Sequence, residues 1–121
     1  MISEILDKLI KLLGPIATVS QERKNEKDFA LRTISNALIE THFYYKELNQ
    51  SSGKRDQERE KLLVKYWSAA AIPIRRFDIE LSNICDEKSL YWINPDNYDS
   101  DKIKSLGIDL ENIKKAYLKQ K

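Results

Sequence analysis

At 121 residues, 41% of them hydrophobic, the chain is sized for one domain that buries a core without disulfides or metal, and its 3 glycines and 3 prolines leave few places for a strand to turn. The 21 basic and 19 acidic side chains leave a net charge of +2, short of the basic excess of a dedicated nucleic-acid binder, and the single cysteine, Cys85, excludes an internal disulfide. With no secretory leader pattern and no apolar run near the ~18 residues of a membrane span, the composition predicts a soluble protein of the cytoplasm.

The periodicity predicts an all-α fold, a four- to five-helix bundle built on a long antiparallel helical hairpin. A single helical domain then covers 1–121, with an N-terminal helix over 3–13, the hairpin over 20–92 and short C-terminal helices over 100–119. In the first helix Ile2, Ile5, Leu6, Leu9, Leu12 and Leu13 share one side, opposite Glu4, Asp7, Lys8 and Lys11. Gly14 and Pro15 have the order that ends a helix, and the balanced charge with no aromatic anchor points to core packing rather than a membrane surface.

Thr18 and Gln21 have capping-box spacing and open a second helix that reaches about Leu48. On it Leu31, Ile34, Leu38, Thr41, Tyr45 and Leu48 recur at alternating spacings of three and four. After the loop Asn49–Gly53, a third helix is expected from about 54 to 92, its apolar stripe stepping through Leu63, Trp67, Ala70, Ile74, Phe77, Leu81, Ile84, Lys88 and Tyr91. Pro73 falls inside that unbroken heptad, so a kink in one long helix is expected there, with a short break at 72–73 as the alternative. A turn near 51–52 sets residues opposite one another when their numbers add to about 104, and leaves Phe77 to Trp92 as an overhang for the terminal helices to cover. Asn94-Pro95-Asp96 ends the helix, Asp99 or Ser100 caps a short one closed by Gly107, and Asp109 caps the last, from Leu110 to about Lys119.

No phosphate loop, zinc-ligand set or activated nucleophile can be assembled, so no catalytic, cofactor-binding or metal residue is assigned. His42 is the only histidine, and Glu40 lies ~160° from it around the helix. Asp99 and Asp101 fit an EF-hand started at Asn97, but Lys102 and Ile108 occupy its glycine and glutamate places. Phe29, Asn36 and Phe43 recur every seven residues on the side of the second helix away from its main stripe, and something must cover them.

These features predict a non-enzymatic protein–protein interaction module of the adaptor, regulator or immunity type, working with another protein or as a homodimer. Its partner-binding residues would be Phe29, Asn36, Phe43, Arg75, Arg76, Lys88 and Trp92. The alternatives are a nucleic-acid-associated protein using Lys54, Arg55, Arg59, Lys61 and Lys65 at the start of the third helix, and a small enzyme around Glu40, Tyr44 and Arg59.

Overall fold

Four aspartates set four of the helix starts. A computed structural model describes the backbone from Ile2 to Lys121 and the side chains from Gln21 onward. Asp56 accepts from the amides of Glu58 and Arg59, Asp78 from Leu81, Asp99 from Lys102 and Asp109 from Asn112, each satisfying donors that a helix N-terminus leaves unpaired. The helices they open are α2 (Gln57–Ile74), α3 (Ile79–Ile93), α4 (Ser100–Leu106) and α5 (Leu110–Gln120). Before them runs α1 (Ile2–Gln50), and a 3-10 turn occupies Pro95–Asn97. The described residues are all-helical, with no strand and no helix long and apolar enough to cross a membrane.

α1 passes through Gly14-Pro15 and Thr18 as one run, so the expected division into helices over 3–13 and 20–48 does not occur. A proline removes one amide donor and crowds one turn, which interrupts the hydrogen-bond ladder locally without ending it. The packing expected of the apolar side chains from Ile2 to Leu13 lies outside the described side chains.

Beyond Gln50 the chain reverses through Ser52 (φ 59°) and Gly53 (φ 85°), whose amide bonds the Leu48 carbonyl at 2.6 Å. α2 begins at Gln57, not near Lys54, because the Asp56 carboxylate caps it. It runs antiparallel to α1, shown by Thr41 with Trp67, Tyr44 with Glu60 and Glu26 with Arg76, pairs whose numbers add to between 102 and 108 against the expected 104. Ala30, Ile34, Ala37 and Tyr44 of α1 are buried together with Leu63, Trp67, Ala70 and Ile74 of α2.

The expected single helix from 54 to 92 is two helices. α2 ends at Ile74, one residue after Pro73, and the amides of Phe77 and Asp78 both turn back to the Ile74 carbonyl at 2.9 Å. α3 then folds against α2, with Ser82 Oγ donating to the Ala71 carbonyl at 2.6 Å and Ser89 Oγ to the Val64 carbonyl at 2.9 Å. Both donors and both acceptors are seven residues apart, and the numbers fall on one helix as they rise on the other, so the two run antiparallel in close contact. The stripe from Phe77 to Trp92 is therefore not an overhang: α2 lies along it, Tyr44 and Tyr45 of α1 pack on Trp92, and α5, as expected of the C-terminal segment, adds Ile113 to the same core. Gly107, at φ 72°, closes α4, and Ile113 of α5 enters the core.

Candidate functional site

At the α1–α2 turn the polar groups are tied to one another. Glu60 is buried at the first turn of α2 and receives Arg55 Nε at 2.9 Å, Arg55 Nη2 at 2.7 Å and the Tyr44 hydroxyl at 2.5 Å. The Tyr44 oxygen in turn accepts the Asp56 amide at 2.9 Å, and Arg55 reaches Asp96 at 2.9 Å. Arg55 hydrogen bonding, joined by that of Tyr44, holds the Glu60 carboxyl below the usual carboxylate range. Burial, then the bond to Glu60, raises the Tyr44 hydroxyl to about 12. With every strong acceptor occupied, this network locks the hairpin end.

Of the residues of the enzyme alternative, Glu40 and Arg59 come together and Tyr44 is held apart from them. Arg59 turns to Glu47 at 3.0 Å and Glu40 at 3.9 Å, while Tyr44 is held by Glu60 and Asp56. In the basic segment Arg55, Arg59 and Lys61 all have acidic partners, Lys61 through Glu58 at 3.5 Å. Only Lys54 and Lys65 have no ion-pair partner among the described residues, and both are exposed. Most of the positive field a phosphate would meet is neutralised.

Two of the expected partner-binding residues are interior. Trp92 packs edge-on against Tyr44 and Tyr91, with ring centroids 5.5 and 4.8 Å away, and its indole N–H finds no acceptor among the described residues. Lys88 is 1% exposed, its ammonium 4.6 Å from the Tyr91 ring centre and 5.7 Å from that of Trp92. Burial lowers its pKa to about 8 against a smaller opposing pull from Asp109. Both are expected from the sequence to bind a partner; the return of α3 onto α2 encloses them instead. Arg75 and Arg76 stay exposed at the α2–α3 turn, near Asp86 at 3.7 Å and Glu26 respectively.

The outer face of α1 differs. Phe29 is 59% exposed, Phe43 50%, and Asn36 between them is exposed too. Ile39, 48% exposed, joins them, and the sequence reading missed it although it lies three residues after Asn36 on the same side of the helix. Next to this face α5 lies against α1, and the two helices bound a groove of about 620 Å³. From α1 it is lined by Ser35, Leu38, Ile39, His42 and Phe43, and from α5 by Leu110, Glu111, Lys114, Tyr117 and Leu118. Leu110, Tyr117 and Leu118 are legible in the sequence, with Ile113, as the apolar side of this helix; the groove face, Leu110, Lys114, Tyr117 and Leu118 at i, i+4, i+7 and i+8, is obscured because Ile113 belongs to the core. The groove has an apolar floor and a polar rim that includes Ser35, His42 and Glu111, and no hydrogen bond joins these three side chains among the described residues. Such a surface binds by shape and apolar contact. Comparison of the chain with protein-family models, with curated proteins and with solved structures finds no match.

Proposed function

We propose that this chain is a cytoplasmic, non-enzymatic protein–protein interaction module, an adaptor, regulator or immunity-type protein, with the α1–α5 groove and the adjoining Phe29–Asn36–Phe43 stripe as its contact surface. Its scaffold is a helical bundle organised on the α1–α2 hairpin. The observation that carries this reading is the set of large apolar side chains, Phe29, Ile39 and Phe43, left open along the outer face of a helix whose inner-face polar atoms on Thr41 and Tyr44 are paired. Scattered apolar residues are ordinary on a surface, but a contiguous stripe beside a groove is the usual form of a binding site. The neutralised basic residues around Arg55 and Arg59 give the nucleic-acid alternative less support.

Phe43→Glu tests the reading. It places a charge on a half-exposed position, so the melting temperature should stay within a few degrees of the parent while a stoichiometric copurifying protein is lost. Retention of the same associations by the variant would refute the assignment of this face.

A further inference from the structure

The charges around the groove identify the kind of partner it fits. On α1, Arg32, Ile39 and Lys46 recur every seven residues, so the exposed isoleucine has a cation two turns below it and another two turns above. On α5, Lys114 lines the groove directly, and the ammonium of Lys121, the residue after α5, lies 5.8 Å from the ring centre of Tyr117, another lining residue. None of these four cations has an ion-pair partner among the described residues, in contrast to Arg55, Arg59 and Arg76 elsewhere in the molecule. Against them stand Glu111 on the rim and Asp28 one turn before Arg32. The lining itself holds one cation, Lys114, and one anion, Glu111; the positive excess comes from Arg32, Lys46 and Lys121 just outside it, around an apolar lining of Leu38, Ile39, Phe43, Tyr117 and Leu118.

Resting on the interaction-module reading, we propose that the groove receives an amphipathic helix of another protein, whose apolar face seats between α1 and α5 and whose flanks are acidic. Three occupants compete for such a surface, and the geometry separates them. A second copy pairing its α1 in parallel along the same stripe would set Arg32 against Arg32 and Lys46 against Lys46, like charges facing at contact distance. An anionic bilayer would meet the exposed Phe29, Ile39 and Phe43 but would leave Leu38 and Tyr117, half-buried between α1 and α5, without a partner. A single helix with acidic flanks fills the concavity and answers the unpaired cations.

A displayed library of helical peptides about 14 residues long, roughly four turns, gives the test. Leucines are fixed at i, i+3, i+4 and i+7, and every flanking position is randomised among Glu, Lys and Gln. Selection on the full chain should enrich Glu over Lys at the flanks, and the selected peptides should bind Phe43→Glu at least tenfold more weakly. The double variant Lys46→Glu, Lys114→Glu, altering only exposed side chains, should reverse the preference toward Lys. Enrichment without charge bias, binders indifferent to Phe43→Glu, or no binders at all would each overturn the proposal. So would concentration-dependent dimerisation abolished by Phe43→Glu, which gives the face to a second copy, or cosedimentation with phosphatidylglycerol vesicles lost in the same variant, which gives it to a membrane. If peptide selection fails while Phe43→Glu still loses its copurifying protein, the acidic-helix proposal falls and the interaction reading stands; if both fail, both fall.

Discussion

The two faces of α1 follow opposite rules. On the inner face polar atoms are buried and paired: the Thr41 hydroxyl donates to the Ala37 carbonyl at 2.7 Å while accepting Trp67 Nε1 at 2.9 Å, and Tyr44 links Glu60 to the Asp56 amide. On the outer face large apolar side chains lie in water beside a groove. The inner arrangement fixes which residue of α2 meets which residue of α1, since a slipped pairing would leave buried donors and acceptors unmatched at about 1–3 kcal/mol each. The outer face makes no such demand on the fold, which leaves its residue choice open to function.

The largest expected effect comes from emptying the inner face. Trp67 is fully buried, and Trp67→Ala should cost ~3–5 kcal/mol through the cavity it leaves, with the Thr41 oxygen losing its donor besides. Urea denaturation measures this. A loss below about 1 kcal/mol would mean that the α1–α2 pairing differs from the one described.

Lys88 sharpens the comparison from inside the core, because it is a buried cation set against the Tyr91 and Trp92 rings and feels only a smaller opposing pull from Asp109. Its pKa is lowered to about 8 from an ordinary 10.5. Between those values the unfolded chain binds more protons than the folded one, so the Lys88 contribution makes stability rise with pH from about 8 toward 10. Above 10 the trend turns, because burial holds the Tyr44, Tyr45 and Tyr91 hydroxyls protonated in the fold while the unfolded chain loses those protons. Lys88→Met should flatten the rise and stabilise the protein at pH 7 by roughly 1–3 kcal/mol, less whatever the cation–aromatic contacts supply. Chemical denaturation of both proteins at pH 7 and pH 9.5 decides it; an unchanged pH profile in the variant refutes the assignment.

Glu60→Gln removes the charge but keeps the shape of the hairpin-end network. The neutral amide cannot accept both Arg55 nitrogens and the Tyr44 hydroxyl equally well, and Arg55 is part-exposed, so a loss of about 1–2 kcal/mol is expected. Because the Glu60 carboxyl titrates lower in the fold than the ordinary 4.5, its contribution is present above that pH and is lost as pH falls through the folded value. The variant should therefore lose less stability than the parent on acidification below about 4.5.

The inner face was legible in the sequence because its spacing is dense and its large residues, Ile34, Trp67 and Ile74, fall in one phase. The α2–α3 reversal was not, for the same reason: the heptad phase carries on through Pro73, and a helix that folds back shows the same apolar residues as one that continues. What distinguishes the two is small. Asp78 three residues before Leu81 is a cap, and Ser82 and Ser89, one heptad apart, are too small and polar for an overhang but suit a close helix crossing. Phe29 and Phe43 were readable as a second stripe, yet the groove beside them was not, because it forms only when α5 docks and periodicity within one helix carries no record of which neighbour arrives.

The smallest stability change belongs to the outer face. Phe29 is 59% exposed and no described aromatic pairing includes it, so Phe29→Ser gives up little transfer free energy and leaves no enclosed cavity. Helix propensity differs little between phenylalanine and serine, and the variant should unfold within about 0.5 kcal/mol of the parent. The same substitution on a covered face would cost several times as much. A loss above about 2 kcal/mol that grows with protein concentration would show Phe29 to be buried between copies of the chain, because only association makes stability depend on concentration. The same loss independent of concentration would show that the chain itself covers Phe29 in solution, and the contrast between the two faces of α1 would then be smaller than the fold displays.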